Sequence, residues 1–317
     1  MILHCGESLI DFIPGTPDHG SAGPGQESFL PVAGGSPFNS AISSARLGTQ
    51  SAFFGKISTD FFGDQIWDAL GTNGVDRTFA VRSDQPSTLA FVKKNSRGEA
   101  QYAFFAENAA DRDVTELPDL PANISAIHVG SISLIPEPVG STLEALVRRE
   151  HARRVVSLDP NIRPTLIRDE KAYRARLSRL IGMAAVVKVS DEDLIWMTGT
   201  HDLETAANAV RAEGPALVVV TKGAAGVFCV GANGFAEADS VPVAVVDTIG
   251  AGDSFHAAIL TWLERTGKID LRTLKNLSTD DMAAMIEFGA NVAAVTCSRR
   301  GADPPRMTDL PERIRLA

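Results

Sequence analysis

Cysteine is scarce in this chain: Cys5, Cys229 and Cys297 are the only three among 317 residues. They are widely separated, odd in number and form no CxxC pair. That argues against a disulfide framework or a zinc site, and for reduced, buried thiols in a cytoplasmic protein. Aromatic residues are also few, at 6%. Alanine is plentiful, which suits helices packed on a sheet. No apolar run is long enough to span a bilayer, and Met1 leads into Ile2-Leu3-His4-Cys5 without a basic stretch or cleavage site. No membrane association is expected. An excess of positive charge is missing too, since 30 Lys and Arg stand against 39 Asp and Glu, a net charge of −9. Nucleic acid is therefore not an expected partner. A small anion remains possible, held by a few local cations and backbone N–H groups. Histidines show no metal-ligand spacing, and there is no GxxxxGK[ST] loop.

What is present is an ordinary globular composition, 44% hydrophobic and 22% charged. The length suits one large domain with a small appendage. Ile2–Cys5 reads as a strand, Phe38–Leu47 as a helix closed by Gly48, Ser51–Gly55 as a strand and Phe62–Leu70 as a helix. Pro14–Gln26 is a Gly- and Pro-rich loop. Ser87–Lys94 and Gln101–Ala106 flank Asn95-Ser96-Arg97-Gly98, a hairpin signal foreign to βα alternation. It is assigned to a separate small sheet, which Leu9–Ile13 and Phe29–Val32 can join. From Ala126 on, the β-branched runs Ala126–Val129, Val155–Leu158, Val186–Val189, Leu217–Thr221 and Val243–Val246 alternate with helical Pro138–His151, Ala172–Ile181 and Leu203–Glu213. Ala225–Val230 and Gly234–Ala238 read as a hairpin. The expectation is an α/β protein, a mainly parallel sheet covered on both faces in three layers. Residues 1–9, 34–84 and 111–317 would form this αβα core, and 10–33 and 85–110 a β-sheet lid.

The expected strand Val243–Val246 runs into Asp247-Thr248-Ile249-Gly250-Ala251-Gly252-Asp253, and then into an apolar helix. A glycine-rich turn between strand and helix sits where open parallel sheets bind ligands. The N–H groups of Gly250, Ala251 and Gly252 can approach an anion, and the helix start adds partial positive charge. Asp253 is out of place if the turn only binds phosphate. It makes sense as a general base acting on an incoming hydroxyl beside that anion site. The plain alternative is an acidic residue favoured by the helix dipole. Phe255 occupies the third-glycine position of the dinucleotide fingerprint, which speaks against a nicotinamide-dependent oxidoreductase.

This segment resembles the Asp-Thr/Ser-x-Gly-Ala-Gly-Asp signature of the ribokinase-like PfkB family of carbohydrate kinases. A second family signature matches Gly34-Gly35-Ser36-Pro37-Phe38-Asn39, and Phe54-Gly55-Lys56 and Phe62-Gly63 follow in the family's order. The resemblance covers nearly the whole chain. It implies an αβα core with a β lid, transfer of the γ-phosphate of ATP to a sugar hydroxyl, Mg²⁺, and a homodimer formed through the lids. It makes Asp253 the base and Gly250, Ala251 and Gly252 the anion hole.

For the sugar, the resemblance points to Asp11, Gly34, Gly35, Asn39 and Arg163. A carboxylate such as Asp11 can accept two hydroxyl hydrogen bonds; the alternative is a solvated strand end. Arg163, in Asp159-Pro160-Asn161-Ile162-Arg163, could present its fork to the cleft or pair with Asp159. For the nucleotide and magnesium, the corresponding residues are Ser190, Asp193, Thr221, Gly223, Gly226 and Asn291. Ser190 and Asp193 depart from the family's Asn-x-x-Glu, and Ser190 is equally a good helix cap. The resemblance would place a potassium ion on Asp247, the Ile249 carbonyl and backbone carbonyls from Thr296 to Gly301, in the loop Thr296–Ala302. Gly6–Phe12, Asp159–Pro164 and Thr296–Ala302 are most similar to bacterial fructokinases, so fructose is the expected sugar. A 2-keto-3-deoxygluconate or pentose kinase, and a non-catalytic sugar- or nucleotide-binding protein, are the alternatives.

Overall fold

The computed structural model describes residues 1–15, 28–94 and 100–316. In chain order the elements begin with β1 (Ile2–Cys5), β2 (Leu9–Pro14), β3 (Phe29–Gly34), α1 (Ser36–Arg46), β4 (Ser51–Ser58), α2 (Phe61–Thr72) and β5 (Ala80–Ser83). There follow β6 (Thr88–Lys94), β7 (Ala100–Phe105), β8 (Ala126–Gly130), α3 (Val139–Glu150), β9 (Val155–Asp159), α4 (Glu170–Met183), β10 (Val186–Ser190) and α5 (Asp191–Thr198). The chain closes with α6 (Leu203–Ala212), β11 (Leu217–Thr221), β12 (Val227–Gly231), β13 (Gly234–Ala238), α7 (Ala251–Arg265), α8 (Leu271–Leu274) and α9 (Thr279–Cys297). Most of the loop predicted over Pro14–Gln26, and the turn Asn95–Gly98, lie outside the described residues.

Nine strands form one sheet in the order β13-β12-β11-β10-β9-β8-β1-β4-β5. All neighbours from β11 to β5 run parallel, and β12 and β13 add an antiparallel edge. The parallel register sorts the side chains by face. Leu3, Cys5, Ile127, Val129, Val156, Leu158, Val187, Val189, Val218 and Val220 belong to one wholly apolar core, with α3, α4 and α6. The opposite face packs on α7 and α9 through Ile2, Ala126, Val155, Val186, Leu217 and Val219. Toward the carboxyl ends of the strands this second face turns polar, with His4, His128, Ser157, Asp159 and Lys188 all buried. A charged residue inside the run Val186-Val187-Lys188-Val189 was the visible sign of that change.

The four remaining strands form a second sheet, β3-β2-β6-β7. Its central pair is parallel, and both outer pairs are antiparallel. Alternation gives it two distinct faces. On one, Phe12 and Phe91 stack with centroids 4.5 Å apart, and Phe29, Phe62 and Phe105 meet them edge-on. On the other, Leu9 and Ala90 pack against Ile132, and Asp11 lies among them in the strand order.

Two sequence expectations need correction. Val243–Val246 is not a strand: no ladder includes it, and Val245 and Val246 are 63% and 59% exposed. β13 is the edge strand, and the run does not pair with its open side. It is tied instead to the end of α9, where Val246 and Asp247 donate N–H groups to the Cys297 carbonyl. Secondly, Thr296 and Cys297 are not loop residues but the last two of α9. The Thr296 hydroxyl donates to Val292 O, one turn back, which keeps it within the helix.

Candidate active site

The carboxyl ends of β1, β9, β10 and β11 and the start of α7 gather at one edge of the large sheet. Helix starts there are built in two ways. α4, α5 and α6 begin at Asp169, Ser190 and Asp202, whose side-chain oxygens accept a first-turn N–H. α1 and α7 begin at glycines, Gly35 and Gly250, without a cap from their own side chains. Gly250 has φ 74°, and a Cβ there would lie 2.6 Å from the Ala302 Cβ. Both the backbone conformation and the space demand glycine. Gly35 has φ 108°, and a Cβ would press on the Glu7 carbonyl at 2.9 Å. The α7 start thus presents N–H groups that no helical acceptor reaches.

Asp253 lies in that first turn and is 8% exposed. Ser36 Oγ donates to its Oδ1 at 2.6 Å, and Asn39 Nδ2 donates to its Oδ2 at 2.9 Å. Burial raises its carboxyl above the ordinary value, opposed by the Ser36 and Asn39 hydrogen bonds; the Asp159 charge adds to the rise and Lys188 opposes it. Across the cleft, burial pushes Asp11 up to about 7, helped by the charges of Asp253 and Glu7. The Asp11 carboxylate occupies the space that any side chain at Gly34 would need. Asp253, Asp11, Asn39, Gly34 and Gly35 are therefore brought together, with Gly250, Ala251 and Gly252 beside them.

Arg163 differs from one of its two expected arrangements. Asp159 does not pair with it; the Lys188 ammonium lies 2.9 Å from Asp159 Oδ2, both groups buried. Burial alone would raise Asp159, but the Lys188 charge holds it down at about 2. Lys188 reaches this pair from the same sheet face, one strand over. Arg163 instead donates to the carbonyls of Asn161 and Ile162 in its own loop, at 3.2 and 3.0 Å.

At the nucleotide end the cap reading of Ser190 is the one observed, its Oγ accepting the Asp193 N–H at 3.0 Å. Asp193 Oδ1 accepts the Ile162 N–H at 3.2 Å, and burial, then Asp159, push its carboxyl up to about 6. Thr221 ends β11, with Gly223 and Gly226 in the tight turn to β12. Asn291 is buried in α9, where its amide donates to Glu287 O at 2.9 Å. Asp247 accepts N–H groups from Thr248 and Ile249 through Oδ1, at 2.8 and 3.3 Å, and from Gly301 through Oδ2 at 3.1 Å. It ties the glycine turn to the loop after α9. Among the described residues no group of three or more His, Cys, Asp or Glu could hold a metal by itself.

Sequence reasoning missed three contributors. Ser36 lies inside the quoted glycine motif, but a serine there carries no mark of its role. Glu7 is buried behind Gly35, its Oε1 accepting the Ser36 N–H at 3.2 Å and its Oε2 the Ser133 hydroxyl. Lys188 was legible as a charge in a buried strand. A groove of about 1420 Å³ opens nearby between β7 and α4, lined by Phe104, Ile132, Leu166 and Tyr173 among others. None of the predicted site residues lines it.

The model of the pfkB family carbohydrate kinases matches residues 1–309. The chain belongs to that family. A fructokinase from Rhizobium leguminosarum bv. trifolii is 44% identical over 281 residues, 87% of this chain and 84% of the relative. The crystal structure of a fructokinase with bound ATP from Xylella fastidiosa superposes with a TM-score of 0.83 at 28% identity, over 95% of this chain and 93% of that one. A double mutant of a fructokinase from Vibrio cholerae O395, in fructose, ADP and potassium ion bound form, gives 0.81 at 27% identity over 95% and 93%. This carbohydrate kinase thus has the ribokinase-like fold, with its large parallel sheet and small second sheet. Among its described residues no helix is long and apolar enough to cross a membrane.

Proposed function

We infer that this kinase phosphorylates fructose with ATP, using Asp253 as its general base. The observation that carries the reading is the position of Asp253. It is buried at an open helix start, and Asp11 faces it from the second sheet. The polyol would lie between them. Asp11 would accept hydrogen bonds from sugar hydroxyls, and Gly34 leaves room for its carboxylate to do so. Asp253 would take the proton of the attacking hydroxyl. The N–H groups of the Gly250–Gly252 turn and α7 would hold the negative charge of the group in flight. No residue forms a covalent bond; position and charge carry the catalysis.

ATP supplies the phosphoryl group when bound. The fit rests on the uncapped α7 start, on Gly223, where a Cβ would meet nothing within 4 Å, and on exposed Val245 and Val246 leading into the turn. Magnesium suits a site with few protein ligands, since that ion keeps waters and phosphate oxygens. Asp193 is the carboxylate that would reach it, through water. Potassium would rest on the Ile249 carbonyl and Asp247, the carboxylate that already gathers three N–H groups. The second sheet, β3-β2-β6-β7, would act as a lid and pair with the lid of a second copy. Phe61 and Phe105, 74% and 62% exposed beside the stacked phenylalanines, support that pairing. The free thiols fit a cytoplasmic setting.

An Arg near the sugar would serve a carboxylate well through a bidentate pair, which favours a keto-acid sugar. Arg163 is engaged with its own loop carbonyls, so a neutral ketohexose is the better match. The test is kcat/KM for fructose, ribose, adenosine and 2-keto-3-deoxygluconate at saturating MgATP, read by coupled ADP release. Fructose should give the highest value. A clear preference for 2-keto-3-deoxygluconate, lost in Arg163→Lys, would overturn the sugar assignment and leave the kinase assignment standing.

A further inference from the structure

Asp253 meets α1 through three polar residues on one helical face. Ser36 and Asn39 each hold one carboxylate oxygen, and Ser40 Oγ donates to the Asp253 carbonyl at 3.3 Å. Of these, the Ser36 bond is the shortest, at 2.6 Å, and Ser36 is 7% exposed. Ser36 is itself held from behind. Its N–H goes to Glu7, and Glu7 is gripped by Ser133 through both its side chain and its own N–H. The result is a chain of buried contacts, Ser133–Glu7–Ser36–Asp253, running from the short 3₁₀ turn Ser131–Leu134 after β8 to the first turn of α7. A hydroxyl has one proton to give. Spent on Oδ1, it favours the ionised carboxylate and fixes its plane.

We propose that Ser36 is a positioning residue for the reaction: its hydroxyl holds Asp253 ionised and oriented so that Oδ2 can take the proton of the sugar hydroxyl. This rests on the reading of Asp253 as the base. The charged and titratable groups facing Asp253 are Asp11 from β2, Glu7 from the turn after β1, Asp159 from β9, Lys188 from β10 and His256 from its own helix. None of them touches the Ser36 hydroxyl, so its removal acts on Asp253 alone. Burial already raises the Asp253 carboxyl, and losing a donor to the charged form raises it further.

The experiment is the pH profile of kcat/KM for fructose in wild type, Ser36→Ala and Ser36→Thr, with ATP affinity as the check on folding. Activity falls as pH drops through the pKa of the base. In Ser36→Ala that acidic limb should rise by on the order of one to two pH units, the size of a hydrogen bond to a charged group. Ser36→Thr keeps the hydroxyl and should keep the limb near its wild-type place. In an Asp253→Asn background, Ser36→Ala should change the residual turnover by less than about twofold. If Ser36→Ala fails to fold, Ser36→Cys, a weaker donor of similar size, should move the limb in the same direction. A limb that stays in place in the folded variant, or an equal loss in the Asp253→Asn background, overturns the proposal. Asp253→Asn measured alone separates this from the base assignment: full turnover there would remove the base, whatever Ser36 does.

Discussion

At the scale of the residue, the site is a small set of buried carboxylates kept from repelling one another by distinct partners. Asp253 has Ser36 and Asn39, Glu7 has Ser133 and the Ser36 N–H, and Asp159 has Lys188. Asp11 has no such partner among the described residues, and burial pushes it up to about 7. An incoming polyol would supply the missing donors. Asp11→Ala should therefore raise the KM for fructose about ten- to hundredfold, the cost of hydrogen bonds to a charged group. ATP affinity, read by calorimetry, should change by less than about twofold. Equal losses in both affinities would contradict the placement of Asp11 on the sugar side.

At the scale of the element, the polar row on the second face of the large sheet supports α7. The Lys188 ammonium stands 3.2 Å from the place of a Cβ on Gly252, so the pair with Asp159 lies directly beneath the turn. Lys188→Met leaves Asp159 buried without its ammonium partner, with the Asn161 N–H at 3.2 Å and His256 at 3.7 Å beside it, and should cost about 3–5 kcal/mol of stability. Adding Asp159→Asn should restore most of it, because a neutral pair needs no counter-charge. A double variant as unstable as the single one, in urea titrations, would mean that the pair is not what Lys188 provides. Most of the elements were legible because periodicity and glycine spacing are local signals. The strands Val155–Asp159 and Leu217–Thr221 and the helix α7 could be read from their own residues. Val243–Val246 misled because its β-branched content is that of a strand, whereas pairing depends on where the chain is held, and here it is tied to the end of α9 rather than to a strand. The Asp253 turn was legible for the same local reason as the strands. Its contacts with Ser36 and Asn39 were not, because those residues lie more than two hundred positions away and only the packing of α1 on α7 joins them.

At the scale of the whole molecule, the proposed reaction would take its sugar-facing carboxylate from the second sheet and its base and anion site from the start of α7, packed on the large sheet. The second sheet also carries an apolar face, with Phe105 exposed beside Phe91. Lid pairing would cover it. Phe105→Glu should convert a dimer to a monomer at micromolar concentration in sedimentation velocity, since a charge in the centre of such a face is left unpaired. A wild-type monomer would remove the pairing. The proposed reaction depends on one carboxylate, and the most direct measurement is the turnover of Asp253→Asn with fructose and ATP beside its ATP affinity. The substitution removes the proton acceptor and almost no volume. Turnover should fall by about 10²–10⁴-fold, with ATP binding within about twofold of wild type. A folded Asp253→Asn enzyme that turns over within a few-fold of wild type would contradict the account.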